Sequence, residues 1–180
     1  MKNLYKKIFA IIAILVITQQ TGVSMEDIIR FDNNTYHLAL PNGSEAKYFY
    51  FLEGENSEKW HSQMIVEHVL DKANSTEASA EFAYQIQSEN PAASVLVYPE
   101  ASTVGYLTFP SNKEFYEYST SVFKNNNGLG LKKITYSKRF YANENGGAES
   151  ARLAAISFAE NYNKKYMELL NRESAQICLE

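Results

Sequence analysis

The sequence predicts a single α+β domain, in which an antiparallel sheet of about seven strands is packed by two helices in the order β-β-β-α-β-β-β-β-α. Aromatic residues, which fit the pleated surface of a strand, make up 13% of the chain. Seven stretches are alternating or continuously apolar, and loops rich in Pro, Asn or Gly separate most of them. Two further stretches carry apolar residues at helical spacing. Strands joined by such short loops pair antiparallel.

The N-terminus predicts an export signal. Three lysines precede an apolar run from Ile8 to Ile17, and small residues follow near Ser24. This order of positive, apolar and small residues is typical of a secretory signal peptide. The apolar run is about half as long as a membrane-spanning helix requires. We therefore expect residues 1–24 to be a signal peptide, or alternatively an uncleaved anchor, and the protein to be periplasmic or extracellular.

The remaining chain predicts one domain with short flanking segments. We expect residues 25–34 to be a lead-in, residues 35–171 to form the α+β domain and residues 172–180 to form a C-terminal tail. Its first strands are predicted at residues 35–40, 47–52 and 63–70. The turn P-N-G-S joins the first two as a hairpin, because Asn-Gly accepts positive φ. Asn74 is the expected N-cap of the first helix, with Glu77 placed as in a capping box, and Pro91 ends that helix.

The second half of the domain predicts two hairpins and a long helix. The predicted strands are residues 94–98, 104–109, 115–123 and 131–141. The loops P-E-A-S-T and K-N-N-N-G-L-G connect them in pairs. The last helix is predicted over residues 148–171, where apolar residues recur at steps of three and four. Small alanines in its first half let it lie close to a sheet.

Composition argues against several classes of function. The net charge is −4, and loss of the three lysines in the signal lowers it to −7. Acidic chains of this kind do not neutralise phosphates, so we expect no binding of nucleic acid or of anionic lipid.

The single cysteine, Cys178, cannot form an internal disulfide; we expect a free thiol, or alternatively an intermolecular bridge. The three histidines have no zinc-site spacing and G-x-S-x-G is absent, so we expect no metal, no cofactor and no catalytic residue.

Two hypotheses about function follow. The first is a non-enzymatic envelope or secreted protein that binds another protein of the envelope or exterior as an accessory, inhibitor or immunity-like module. Tyrosines on an uncovered sheet face would then supply the contact surface: Tyr48, Tyr50, Tyr116, Tyr118 and Tyr136. The alternative is a small periplasmic hydrolase or ligand-binding protein with a pocket between helix and sheet. The polar residues expected in that pocket are His37, Glu67, His68 and Arg139.

Overall fold

The structure is a computed structural model that describes residues 26–39, 47–126 and 129–177. These residues form one antiparallel sheet of eight strands and two α-helices. The predicted α+β class is therefore confirmed, with one strand more than expected.

The strands form a sheet with two distant edges. Their bounds are β1 (Ile28–Phe31), β2 (Asn34–Leu38), β3 (Lys47–Leu52), β4 (Ser62–Val69), β5 (Ser94–Tyr98), β6 (Thr103–Thr108), β7 (Phe115–Asn125) and β8 (Leu131–Tyr141). The helices are α1 (Ser75–Glu89), between β4 and β5, and α2 (Ala148–Glu173), after β8. The spatial order is β1-β2-β3-β4-β8-β7-β6-β5, so β1 and β5 are the edge strands and the long strands β7 and β8 lie near the middle.

The main core lies between α2 and one face of the sheet. α2 packs on β6, β7 and β8. Ala151 and Ala155 are fully buried, and their small side chains let the helix approach the strands closely, as the sequence predicts. The ring of Tyr166 in α2 stacks on Tyr136 in β8, with 4.8 Å between ring centroids. Large apolar side chains from the other strands except β5 complete this core, including Phe31, Tyr50, Met64, Val66, Leu107 and Ile134.

The opposite face is partly covered by α1, which packs on β5, β6 and β7. The predicted cap is confirmed, because the Asn74 side chain accepts the backbone amides of Thr76 and Glu77. Ala83 and Ile86 contact the strands, and the ring of Phe82 meets Phe123 and Tyr106 edge-on. Hydroxyl pairs across β7 and β8 lie buried on this face, with oxygen separations of 2.7 Å for Ser119–Ser137 and 2.8 Å for Ser121–Thr135.

The ends of the domain are more ordered than the sequence suggested. The expected lead-in, residues 25–34, contributes β1, which pairs with β2 through a turn in which Asp32 and Asn33 have φ of 47° and 62°. Part of the expected C-terminal tail packs as well, since Ile177 is buried and its carbonyl accepts a hydrogen bond from Lys132. The predicted signal segment 1–24, the turn 41–44 and Cys178 lie outside the described residues.

Candidate binding edge and groove

The five tyrosines expected to form a binding surface are core residues, so that interpretation was wrong. Tyr48, Tyr50, Tyr116, Tyr118 and Tyr136 are all buried in the core between the sheet and α2. Their alternation along the strands does place them on one face, but that face is the one that α2 covers. Burial raises the pKa of Tyr118 and Tyr136 well above the usual range, as expected for phenols removed from water.

The four polar residues expected in a pocket do not meet. Glu67 lies opposite Lys133 in β8, whereas Arg139 is six residues further along that strand, about 20 Å away. His68 directly follows Glu67, so its side chain points to the opposite face. Burial there lowers the pKa of His68. His37 is exposed on β2, close to the β1 edge.

Arg139 is held in a packed cluster of its own. Its guanidinium carbon lies 3.8 Å from the ring centroid of Trp60 and 4.0 Å from that of Phe115. Its Nε donates to a carboxylate oxygen of Glu117 at 3.1 Å. Stacking between two rings beside a carboxylate satisfies the charge and the planar faces of the guanidinium. The arrangement therefore assigns Arg139 a packing role at this end of β7 and β8.

His61 lies between two carboxylates outside the core. Its Nδ1 lies 2.7 Å from Glu55 and its Nε2 lies 2.8 Å from Glu144, and these hydrogen bonds raise the pKa of the imidazole. Both ring nitrogens are thus used by carboxylates. Across the residues that the structure describes, no group of three or more His, Cys, Asp or Glu residues is arranged to hold a metal ion. No helix in those ranges is long and apolar enough to cross a membrane.

The outer side of β5 is a free sheet edge. In the described chain, β5 pairs with β6 alone. The Phe123 amide donates to the Ser102 carbonyl, which therefore points toward β7. The N–H of Thr103 belongs to the same peptide group and points the opposite way, toward β5.

Thr103 lies opposite Tyr98, so the N–H and C=O groups of Tyr98 face β6. Because the direction of these groups alternates from residue to residue along a strand, those of Leu96 and Ser94 face β6 as well. The amide and carbonyl groups of Val95 and Val97 therefore point outward.

An apolar groove runs beside this edge, on the α2 side of the sheet. Its volume is about 370 Å³. The sheet supplies Leu96 and Leu107, the loop after β6 supplies Phe109, and α2 supplies Ile156, Ala159 and Asn163. Glu160 brings the one charged side chain of this lining, and Leu96 is 46% exposed. The groove exists because α2 packs on β6, β7 and β8 and leaves β5 uncovered.

A glycine fixes the floor of the groove. A Cβ on Gly105 in β6 would lie 2.3 Å from Oδ1 of Asn163, so only the absence of a side chain lets the asparagine sit there. The same oxygen accepts a hydrogen bond from the Tyr118 hydroxyl at 2.9 Å. Tyr118 thus contributes its polar end to the groove while its ring remains in the core. A polar pair consequently lies at the base of an otherwise apolar cleft.

Sequence reasoning missed this site, although one signal was available. The stretch S-V-L-V-Y of β5 lies between Pro91 and Pro99 and contains no charged residue. Natural edge strands usually carry charges or proline as protection against pairing with other chains. The pattern would have been informative only with the strand order, which places β5 at an edge.

A protein-family model matches residues 23–172, which include every described strand and all of α2 except Glu173. The chain belongs to that family. The family is uncharacterised, so membership assigns neither a ligand nor a reaction. No curated protein matches the chain.

Proposed function

We propose that the protein is a non-enzymatic module, acting outside the cytoplasm, that binds another protein by accepting an extended segment alongside β5. The observation that carries this proposal is the coincidence of an uncharged, outward-facing edge strand with an apolar groove beside it. The expected export rests on the lysine-rich and apolar pattern of residues 1–24.

Addition of a strand would use both parts of the site, the β5 edge and the apolar groove. The outward peptide groups of Val95 and Val97 would bond to the backbone of the added segment, which gives affinity without a sequence requirement. Alternate side chains of that segment would point to the α2 side, next to Leu96 and the groove, and would select apolar residues. A basic residue in the segment would pair with Glu160, and the acidic chain as a whole favours a basic partner.

Selection of displayed peptides tests the proposal. The full chain is immobilised and a random peptide library displayed on phage is the probe. We expect the selected peptides to bind the wild type and to lose affinity about tenfold or more on Leu96→Lys, which places a charge in the groove. Val97→Pro should act alike, because it removes an outward amide that β6 does not use.

Leu153→Lys is the matched control. Leu153 is 53% exposed on α2 and does not line the groove, so its substitution should leave peptide binding unchanged. Peptides that bind Leu96→Lys and Val97→Pro as tightly as the wild type would contradict binding at β5. Backbone amide shifts of Val95 and Val97 on titration with a selected peptide provide an independent reading of the same contact.

A small ligand is the second candidate, because the groove lies between helix and sheet as the alternative hypothesis requires. The hydroxyl of Tyr118 and the amide of Asn163 would orient a polar group, and the apolar walls would hold the rest. Ala159→Leu separates the two candidates. It fills the groove, so it should remove binding of a small apolar fluorophore while backbone pairing of a selected peptide along β5 persists.

A further inference from the structure

The β5 edge is complementary to itself. Its sequence S-V-L-V-Y is close to symmetrical about Leu96, with valines on either side. The two residues whose peptide groups point outward, Val95 and Val97, are equally spaced from that centre. An antiparallel copy of the same strand therefore presents the matching groups in the matching places.

We propose that, without its partner, β5 pairs with β5 of a second copy of this chain around a two-fold axis through Leu96. In this register Val95 of one copy lies opposite Val97 of the other. Each such pair exchanges two backbone hydrogen bonds, so every outward amide and carbonyl of both strands is used. The interface is isologous and closes on itself, which yields a dimer and not a fibre.

Side chains and charges agree with this register. No residue of β5 is charged, and Glu100, the nearest charged residue after the strand, lies in the short 3-10 helix Pro99–Ala101, outside the paired segment. Like charges therefore do not face each other along the pair. The two exposed Leu96 side chains would meet at the axis beside both grooves, which removes apolar surface from water.

The dimer uses the same peptide groups as the proposed binding of another protein and rests on the same free edge. The partner's segment would have to displace the second copy, so dimerisation would compete with binding of the partner at β5. The dimer and the binding of another protein can be disproved independently, because cross-linking detects the dimer and peptide selection detects the partner site.

Cysteine cross-linking tests the register in the full chain, with Cys178→Ser removing the natural thiol. Opposite residues of a non-hydrogen-bonded pair have Cα atoms about 4.5 Å apart, within the range of a disulfide. We expect Leu96→Cys to form a covalent dimer on mild oxidation. Ser94→Cys and Tyr98→Cys should each fail alone but cross-link when mixed, because residue 94 faces residue 98 of the other copy. Leu153→Cys is the exposed control.

Sedimentation equilibrium gives the second reading without oxidation. The wild type and Leu153→Lys should show a concentration-dependent dimer, whereas Leu96→Lys and Val97→Pro should be monomeric. A wild type that is monomeric at every concentration measured would overturn the proposal. So would cross-linking of Leu96→Cys no faster than Leu153→Cys, or equal cross-linking of Ser94→Cys alone and in the mixture.

Discussion

The two edges of the sheet differ in how they are protected. β1 carries Arg30 and its hairpin turn is tied to α2, since Asp32 accepts the Tyr166 hydroxyl at 2.6 Å and pairs with Lys165 at 3.0 Å. β5 has no charge, and α2 does not cover it. The difference indicates that the β1 edge belongs to the folded core, whereas β5 adds little to the core through its α2-facing side chains and keeps its outer edge unpaired in the described chain.

The largest expected effect is on the β1 side. Tyr166 stacks on Tyr136, contacts the ring of Phe31 and is buried, so Tyr166→Ala should lower the free energy of unfolding by about 3–5 kcal/mol. Leu96→Ala, at the other edge, should change it by less than about 0.5 kcal/mol. Urea unfolding measures both values. Similar losses in the two variants would remove the distinction between the edges.

The contacts of Asp32 with Tyr166 and Lys165 anchor the β1 hairpin to α2, and we expect acid to weaken this anchor. Burial raises the pKa of the Asp32 carboxyl, but hydrogen bonds from Tyr166 and Lys165 and the charge of Lys165 outweigh it, so the net pKa lies below the ordinary 3.8. A lowered pKa in the folded state means that the ionised carboxylate stabilises the fold above pH 3.8. That stabilisation is lost as pH falls through the folded pKa.

Asp32→Asn measures this contribution. Asparagine tolerates the positive φ of residue 32, so the substitution removes the charge without straining the turn. We expect a loss of about 1.5–3 kcal/mol at pH 7, the range for hydrogen bonds to charged groups. The difference from wild type should shrink as pH falls below 3.8 in urea unfolding. Glu100→Gln, an exposed carboxylate beside β5, is the control, and a difference for Asp32→Asn that stays constant down to strong acid would contradict the anchor.

Local patterns predicted the elements but not their arrangement. The Asn74 cap, the strand 131–141 and the alanine-rich helix all depend on neighbours in sequence, and the structure confirms them. β1 was missed because it has four residues, although the turn-forming D-N-N that follows it was a usable signal. The prediction of a tyrosine binding surface was wrong for a different reason. Alternation shows which residues share a face, whereas which face a helix covers depends on contacts far apart in sequence.

The position of the proposed binding edge also depends on contacts far apart in sequence. β4 pairs with β8, more than sixty residues away, and this pairing sends β5 to the end of the sheet. No short pattern in S-V-L-V-Y encodes that position. Arg139 was likewise expected in a pocket, because the two rings that enclose it, Trp60 and Phe115, are distant from it in sequence.

A smaller effect is expected at the base of the groove. Gly105→Ala would push Asn163 away from the Tyr118 hydroxyl and should cost about 1 kcal/mol, as should Tyr118→Phe. Because both variants break the same hydrogen bond, the double variant should cost less than the sum. A double-mutant cycle by urea unfolding checks this, and strict additivity would show that the two residues do not act through Asn163.

The smallest effect on stability is expected at β5, together with the largest effect on binding. Leu96 is 46% exposed, so Leu96→Lys should leave the urea midpoint nearly unchanged. In the free monomer, the outward amides of Val95 and Val97 should exchange with solvent faster than the amide of Leu96, which faces β6. Addition of a strand should slow the valine amides in the wild type but not in Leu96→Lys. Protection of Val95 and Val97 in the monomeric variant itself would mean that the β5 edge is already covered within one chain, and the contrast between the two edges would then disappear.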